Sequence, residues 1–322
     1  MPGTERDRSR HRIWLTPAIA LCVVLVVGPA SPAVAKKSKS KAAATTRSVT
    51  VPIASGGTAT TSASCAGKTH MTGGGFAVSP PFTPPSNGLR SWTTTSNPVG
   101  KKTWTASGSA FNNPGGAGSF TAFARCEGNS LGRIAITASS SVTLSPGEFR
   151  SLAFVCPGNS HVISGGYAGD GPTDLNHPSS NGWRLDILQS QRTSAREWTI
   201  TAFDRGNSPP PSASASLTGF VVCELNAKGV KVSEKSAATP LTTGARATAD
   251  PSCPKGRHVV SAGFVISPLP SGVGAVVPVI SLDEFKPTSN RGWHVGLHPW
   301  TSAVLPAGES LQAFAYCKKD PA

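Results

Sequence analysis

Three histidines recur at the same place in the sequence and are the first residues to consider for chemistry. His70, His161 and His258 each follow a cysteine by five positions and precede an aromatic residue by six. Imidazole nitrogens are common zinc ligands, and three of them make up the protein part of some zinc sites. If the segments that carry these histidines surround a threefold axis, the three rings could meet and hold a metal ion. Otherwise each ring lies alone at the start of its own strand.

The tryptophans fall into two groups. Members of the first group follow a recurring cysteine by about 40 positions and open an apolar stretch, which indicates packing: Trp104, Trp198 and Trp293. Members of the second group do not all correspond between the copies: Trp92, Trp183 and Trp300. An indole ring that is free of packing can serve as a flat platform for a sugar ring. The second group therefore supplies the ligand-binding candidates of the sequence.

An acidic segment, DGPTDLNHP, occurs only in the middle of the chain. Its oxygen-bearing residues Asp170, Asp174 and Asn176 are of the type that binds Ca²⁺, and with His177 they form the one polar cluster that a hydrolase could use. The simpler interpretation is a solvated turn, because the corresponding segments SPPFTPPSNG and SPLPSGVG contain no acidic residue. Since no nucleophile motif such as GxSxG is present, we expect no catalytic residue and no cofactor.

Six cysteines divide the chain into three copies of about 90 residues. The copies open with CAGKTHMTGGGF, CPGNSHVISGGY and CPKGRHVVSAGF and close with SFTAFARC, SLTGFVVC and SLQAFAYC. This agreement indicates an internal triplication. Two disulfide plans respect it. In the favoured plan each copy closes on itself, joining Cys65 to Cys126, Cys156 to Cys223 and Cys253 to Cys317. In the alternative, each closing cysteine joins the next copy, and the last returns to the first.

Each copy alternates apolar and small polar residues between turns of Gly, Pro, Ser and Asn, with hardly any helical periodicity. This pattern is typical of short strands, and we expect about five in each copy. The glycines of TGGGF, SGGY and SAGF predict places where a ring or another backbone approaches closely. The expected fold is all-β and stabilised by disulfides. It is either a pseudo-threefold, β-prism-like assembly or three small β-sandwiches in tandem.

The first residues are typical of a secretory signal peptide. Four arginines precede the apolar run LTPAIALCVVLVV, and SPAVA then offers an Ala-x-Ala cleavage site, which favours cleavage over an uncleaved membrane anchor. We assign residues 1–35 to the signal peptide and 36–47 to a basic tail that is too polar to fold alone. Repeats follow at 48–130, 131–228 and 229–322. In an exported chain an even number of cysteines predicts a disulfide framework.

The motifs of the repeat resemble those of a known type of protein. The Cys-Pro-x-Gly start, the Ser-Gly-Gly-Phe element and the Leu-x-Ala-Phe-x-x-Cys close are similar to a β repeat of secreted proteins from high-GC Gram-positive bacteria, the actinobacterial type, over residues 48 to 319. More remotely, the pattern is similar to the threefold β-prism of vitelline membrane outer layer proteins. The resemblance implies an extracellular, all-β frame and brings no catalytic residue with it.

These observations predict a secreted, non-catalytic binding or structural protein of the cell surface that engages carbohydrate or wall polymer. The net charge of +14 at pH 7 is concentrated in part in the tail, which could be attracted to anionic polymers or remain a solvated linker. Two alternatives remain, a secreted hydrolase with its site in the second repeat and a metal-binding extracellular protein. The basic residues of the repeats are scattered and form no recognised module, so we expect no nucleic acid partner. No stable membrane insertion is expected after signal cleavage.

Overall fold

A computed structural model describes residues 44–81, 91–110, 117–128, 133–170, 185–205, 214–225, 233–269, 280–299, 305 and 307–320. The regular structure of these ranges consists of eighteen β-strands, and they contain no helix. The all-β prediction is therefore confirmed. Consistent with this, the described part of the chain has no helix long and apolar enough to cross a membrane.

Each repeat, called a unit from here on, forms six strands rather than the five predicted. Unit 1 contains β1 (Thr45–Ile53), β2 (Thr58–Ser64), β3 (His70–Ser79), β4 (Ser91–Val99), β5 (Thr103–Ala110) and β6 (Gly118–Glu127). Unit 2 contains β7 (Arg133–Leu144), β8 (Phe149–Val155), β9 (His161–Asp170), β10 (Leu185–Arg192), β11 (Glu197–Asp204) and β12 (Ala215–Leu225). Unit 3 contains β13 (Ser233–Pro240), β14 (Ala247–Ala249), β15 (Arg257–Ser267), β16 (Ile280–Pro287), β17 (Trp293–Pro299) and β18 (Ser310–Lys319).

The additional strand is the first of each unit. Its sequences, TTRSVTVPI in β1 and SEKSAATP in β13, are polar and resemble linkers. They nevertheless form strands because the closing strand of the same unit offers a complete edge, along which β1 pairs with β6 over its whole length. Because β1 begins at Thr45, residues 45–47 belong to a strand although their composition placed them in the basic tail.

Every sheet is shared between two units. The strand orders are β1-β6-β3-β16-β17-β14, β13-β18-β15-β10-β11-β8 and β2-β5-β4-β9-β12-β7, here called sheets I, II and III. Each sheet joins the first, sixth and third strands of one unit to the fourth, fifth and second strands of another. The sharing is cyclic: unit 1 shares sheet I with unit 3, unit 3 shares sheet II with unit 2, and unit 2 shares sheet III with unit 1. The units therefore surround a pseudo-threefold axis.

The two halves of each unit lie in different sheets and pack against each other, so that each unit is also a small sandwich. The core of this sandwich contains the three equivalent tryptophans, all at most 1% exposed: Trp104, Trp198 and Trp293. Their predicted packing role is confirmed. A Cβ atom added to Gly74 would lie 2.2 Å from the Trp104 ring, and one added to Gly165 would lie 2.4 Å from the Trp198 ring. In units 1 and 2 the glycine two residues before the aromatic residue of the motif thus makes room for the tryptophan, whereas unit 3 has Ala262 at this position.

The glycine directly before the aromatic residue of the motif makes room for the neighbouring unit. A Cβ atom on Gly75 would lie 1.8 Å from the carbonyl oxygen of Phe285 in unit 3. The equivalent distances are 2.3 Å from Gly166 to the Ser96 oxygen and 2.8 Å from Gly263 to the Ser190 oxygen. These glycines lie where the third strand of one unit meets the fourth strand of the next. The motif is therefore repeated because each junction between units needs the same close approach of two backbones.

The cysteines form three disulfides within units, as the favoured plan predicts. The bonds are Cys65–Cys126, Cys156–Cys223 and Cys253–Cys317, with Cα atoms 5.5, 5.7 and 5.6 Å apart. Each bond ties the turn before the third strand to the sixth strand and so holds the two halves of one sandwich together. Such bonds are typical of proteins that fold in an oxidising, extracellular environment.

Candidate functional site

The assembly has two distinct ends. Paired strands run antiparallel throughout the described sheets, so chain connections alternate between the ends. At the disulfide end the cysteines precede the third strands. At the loop end the third strands finish and the fourth strands begin. The connections there, residues 82–90, 171–184 and 270–279, lie outside the described residues.

At the loop end, equivalent positions of the fourth strands carry different residues. Each fourth strand contains a bulge, and two positions before it stand Trp92 in unit 1, Asp186 in unit 2 and Ser281 in unit 3. Trp92 is only 7% exposed, and its Nε1 donates a hydrogen bond to Asp186 Oδ1 at 3.2 Å. Asp186 Oδ2 also forms an ion pair with Arg205 Nε. A tryptophan of one unit thus binds a buried carboxylate of the next.

Burial dominates the electrostatics of Asp186. The side chain is 2% exposed, and this burial raises the pKa of the carboxyl group, although the charge and hydrogen bond of Arg205 and the hydrogen bond from Trp92 oppose the rise. Next to it lies a small pocket that is partly open to solvent. All three units contribute to its walls, through Trp92 and Thr93, Asp186 and Ile187, and Ile280 and Leu282.

An aromatic face continues from Asp186 along sheet II. Phe149 and Phe203 stand opposite each other on β8 and β11, with ring centroids 4.5 Å apart, and both rings are partly exposed. Arg205 lies over Phe203, with its guanidinium carbon 5.7 Å from the ring centroid. Phe203 pairs across the strands with Asp186. The pocket and the aromatic face therefore share one ion pair.

Polar side chains border the aromatic pair in the next cross-strand row. The hydroxyl groups of Ser151 and Thr201 are 2.8 Å apart, and Thr201 donates a hydrogen bond to Gln189 Oε1 at 2.7 Å. These side chains are thus held in fixed positions before any ligand arrives. Thr201 and Gln189 are themselves buried, so the groups that this face offers to a ligand are the two partly exposed rings and the exposed Ser151, and a sugar ring can stack on such aromatic rings.

The equivalent faces of the other units differ in chemistry. In unit 1 the pair corresponding to Phe149 and Phe203 is Thr58 and Ser109, and hydroxyl pairs follow along the strands, such as Thr60 with Ser107 at 2.9 Å. In unit 3 the position of Phe203 holds His298, which is buried. The aromatic face consequently belongs to unit 2 alone among the described strands.

Unit 3 carries an ionic network instead. Glu284 forms ion pairs with Arg246 and Lys286, and His294 contacts Glu284 Oε2 at 3.1 Å and Asp250 Oδ1 at 2.6 Å. Burial favours a higher pKa for Glu284, but the hydrogen bonds from His294 and Lys286 and the charge of Arg246 lower it to about 2. Every charge of this network has an opposite partner, which indicates a role in stability.

At the disulfide end, the residue directly after each closing cysteine is charged and buried. These residues are Glu127, Glu224 and Lys318. Lys318 Nζ lies 2.9 Å from Glu224 Oε1 and 3.9 Å from Glu127 Oε2, so one lysine of unit 3 contacts carboxylates of both other units. His258 Nε2 contacts Glu127 Oε1 at 2.7 Å, and its Nδ1 contacts Asp320 at 2.8 Å. We call these five residues the ionic cluster.

The metal-site hypothesis finds no support in this arrangement. Both ring nitrogens of His258 are engaged by carboxylates, and His70 and His161 do not join it as ligands of a common centre. Across the described ranges, no three His, Cys, Asp or Glu side chains are grouped so that they could hold a metal ion. Each of the three histidines starts the third strand of its unit, or stands one residue after its start, as the simpler interpretation predicts.

Most of the remaining candidates from the sequence are not described by the structure. Trp183, Trp300, Asp174, Asn176 and His177 are outside the described residues, and Asp170 ends β9. Trp92 is part of the site, but as a buried hydrogen-bond donor rather than as an open platform.

The two phenylalanines of the aromatic face were not among the residues predicted from the sequence. The sequence did contain a signal for them. In GEFRS the phenylalanine directly precedes an arginine, in AFDRG one residue separates the two, and neither phenylalanine has an aromatic counterpart in unit 1. Only the pairing of β8 with β11 brings them together.

Comparisons of the sequence with protein-family models and with characterised proteins find no match.

Proposed function

We propose that this chain is a secreted, non-catalytic binding protein of the cell surface that engages carbohydrate or wall polymer through the aromatic face of unit 2. The observation that carries the proposal is the partly exposed pair Phe149 and Phe203, which adjoins the Asp186–Arg205 ion pair on a sheet face. Sugar rings bind proteins through their apolar C–H faces and their hydroxyl groups, and this surface offers complementary groups for both.

The rigidity of the scaffold supports a binding role. Phe149 and Phe203 belong to paired strands of a six-stranded sheet, and a disulfide holds the two halves of their unit together. A surface that is ordered before binding loses little conformational entropy when the ligand arrives. Weak contacts to a polymer can then give useful affinity.

Location at the cell surface is supported by two features of different kinds. The three disulfides are typical of an oxidising compartment. The basic segment KKSKSK, residues 36–41, adds Coulomb attraction to anionic polymers, and this attraction is screened by salt.

Co-sedimentation with purified cell-wall material tests the proposal. The mature chain, residues 36–322, is compared at low and high salt with a variant that lacks residues 36–43, which leaves β1 intact, and with the double variant Phe149→Ala, Phe203→Ala. We expect the first two to be retained at high salt and the double variant to be released.

A matched control comes from unit 1. Phe123 on β6 is also a half-buried phenylalanine of a sheet, so Phe123→Ala should leave retention unchanged. If the wild type stays in the supernatant at both salt concentrations, the proposed function is wrong. If the wild type is retained only at low salt and only with its tail, binding is purely electrostatic, and the aromatic face is not the site.

A further inference from the structure

The connections at the disulfide end are rich in basic residues. Each unit contributes the turn directly after its first cysteine and the hairpin between its fourth and fifth strands, residues 66–69, 157–160, 254–256, 100–102, 193–196 and 288–292. The charged residues of these six connections are all basic and all exposed: Lys68, Lys101, Lys102, Arg196, Lys255 and Arg291. None of the six connections, which lie within the described ranges, contains Asp or Glu. The disulfide end therefore presents positive charge from every unit.

The basic residues of the hairpins follow the threefold arrangement of the units. Lys102, Arg196 and Arg291 hold equivalent positions, since the backbone carbonyl oxygen of each accepts a hydrogen bond from the first cysteine of its unit, at 2.8, 2.8 and 2.7 Å. Their side chains are held as well, because each donates to a carbonyl oxygen of the adjoining turn or cysteine at 2.7 or 2.8 Å. Points related by a threefold axis lie in one plane perpendicular to it. The three hairpin charges consequently mark a flat face across this end.

This positive charge has no acidic counterpart in the same connections or nearby. None of the six basic side chains takes part in an ion pair among the described residues, whereas Arg150, at the loop end, contacts Glu148 at 2.5 Å. The acidic residues with exposed surface near the disulfide end are matched in number by basic residues of the adjoining strands. The acidic ones are Glu197, Glu234, Asp250 and Asp320, and the basic ones are Arg47, Lys235, Arg257 and Lys319. An anionic partner therefore gains Coulomb attraction at this end.

Two further features belong to the same end. β1 begins there, because Thr45 pairs with Cys126, so the basic segment of residues 36–41 is joined to the fold at this end. Val99 and Val155 are 52% and 57% exposed, and they end β4 and β8 directly before the 100–102 hairpin and Cys156. Exposed apolar side chains among basic ones suit the interface of a membrane, where anionic head groups lie above acyl chains.

We propose that the disulfide end docks on the surface of a membrane that contains anionic lipids. A flat membrane meets the basic residues of all three units at the same time, whereas a single polymer strand follows only one line across the end. The attachment is peripheral and sensitive to salt, since it depends on exposed charges. This inference goes beyond the proposed function, because it uses the end opposite the aromatic face and leaves that face free for wall polymer.

Co-sedimentation with lipid vesicles tests the docking. The mature chain, residues 36–322, is mixed with vesicles of equal parts phosphatidylglycerol and phosphatidylcholine, or of phosphatidylcholine alone. We expect binding to the anionic vesicles only, and its loss at high salt. A variant that lacks residues 36–43 should bind the anionic vesicles more weakly but still clearly. If this variant binds both kinds of vesicle equally, the tail alone is responsible and the docking face is wrong.

Substitutions of exposed lysines locate the contact. In the variant without the tail, the triple change Lys68→Gln, Lys101→Gln, Lys255→Gln should weaken binding about a hundredfold, since each basic residue near an anionic surface contributes about fivefold. Lys101→Gln alone should weaken it about fivefold. Arg150→Gln removes the same charge at the loop end and is the matched control, with a change of less than about twofold. Equal losses for Lys101→Gln and Arg150→Gln would overturn the assignment of the contact to the disulfide end. Melting temperatures confirm that all these variants are folded.

Polyphosphate distinguishes a membrane from a soluble anionic polymer. Val99→Ser should weaken binding to the anionic vesicles about threefold and leave binding to polyphosphate unchanged. Tighter binding to polyphosphate than to vesicles at equal phosphate concentration, with no effect of Val99→Ser on either, would overturn the membrane assignment.

The double variant Phe149→Ala, Phe203→Ala separates this inference from the proposed function. It should bind the anionic vesicles like the wild type. A chain that is retained on wall material but binds no vesicles overturns the docking face and leaves the proposed function in place.

Discussion

The two ends of the assembly are built from the same repeat but differ in how closely they keep its symmetry. At the disulfide end the backbone keeps the symmetry, since the nitrogens of Cys65, Cys156 and Cys253 donate to the neighbouring hairpin at 2.8, 2.8 and 2.7 Å, although the side chains after the closing cysteines differ between the units. At the loop end, the equivalent positions hold Trp92, Asp186 and Ser281 and form different contacts.

This difference shows where the repeat was constrained by folding. Three units close on one another only if each junction accommodates the same backbone approach and each sandwich is tied in the same way. The loop end lies beyond these junctions, so its side chains can differ without disturbing the closure of the three units on one another. The loop end can therefore carry a single ligand site.

The largest loss of stability is expected when a methyl group is added at a junction between units, to the glycine directly before the aromatic residue of the motif. Gly75→Ala places a Cβ atom 1.8 Å from the Phe285 carbonyl oxygen, and neither backbone can move without disturbing sheet I. We expect a loss of about 5 kcal/mol or failure to fold. Gly57→Ala, in a turn where the nearest backbone atom is 3.1 Å away, is the control and should cost less than about 1 kcal/mol. Urea unfolding measures both, and similar stabilities would contradict the junction role.

Removal of a disulfide is the next largest change. Cys156→Ala with Cys223→Ala opens a loop whose ends are 67 residues apart. Loop-closure entropy predicts a loss of about 4 kcal/mol. Because the same bond ties each unit, the corresponding pairs in units 1 and 3 should lose similar amounts, and denaturant midpoints measure this. A unit whose disulfide can be removed at no cost would show that the disulfide end is less symmetric than its bonds indicate.

The contribution of His258 to stability depends on pH. Burial lowers its pKa, but the hydrogen bonds and charges of Glu127 and Asp320 outweigh this, so the pKa of the folded state is raised. Its stabilising contribution is therefore complete below the unfolded value of about 6.5 and is lost as the pH rises through the higher folded value. Lys318 and Glu224 complete the surrounding ionic cluster.

We expect His258→Gln to reduce the free energy of unfolding by about 1 to 3 kcal/mol at pH 5.5 and by much less at pH 9. The difference between wild type and variant is the quantity to measure, since burial also raises the pKa values of Asp283 and Glu309 to about 7, and both then weaken the fold in the same direction as the pH rises. A deficit that is the same at both pH values would mean that protonation of His258 does not link unit 3 to unit 1.

The smallest expected effect on stability belongs to the loop end. Phe203→Ala removes a partly exposed ring and should cost about 1 kcal/mol of stability, yet weaken binding to wall material about tenfold or more. At pH 5.5, His258→Gln should instead reduce the free energy of unfolding by about 1 to 3 kcal/mol and leave binding to wall material unchanged. Melting temperatures and retention measured on the same samples reveal this contrast, and equal losses of binding in both variants would show that the two ends are not functionally separate.

Much of the fold could be predicted because the repeat appears in the sequence itself. The period-two pattern indicated strands, and the recurrence of two cysteines at equivalent places in each copy limited their pairing. The first strands, such as β1, could not be predicted, since their residues are polar and their pairing depends on β6, about 70 residues away. The sharing of sheets between units could not be predicted either, because it depends on contacts between copies that have the same local pattern.

The candidate site was less predictable. Trp92 was identified by its lack of a counterpart, but its burial against Asp186 depends on how units 1 and 2 meet. Phe149 and Phe203 are far apart in the chain, and each alone looks like an ordinary strand residue. The histidines had the more regular spacing, yet that regularity reflects the strand start that all three units share.

We propose that ligand binds at the loop end and that the disulfide end holds the three units together. Hydrogen–deuterium exchange of the mature chain, with and without solubilised wall glycan, distinguishes the two ends. We predict that protection increases in β8, β10 and β11 and at the start of β4, while β3, β15 and β18 near the ionic cluster remain unchanged. Increased protection confined to the disulfide end, or none at saturating glycan, would contradict the account.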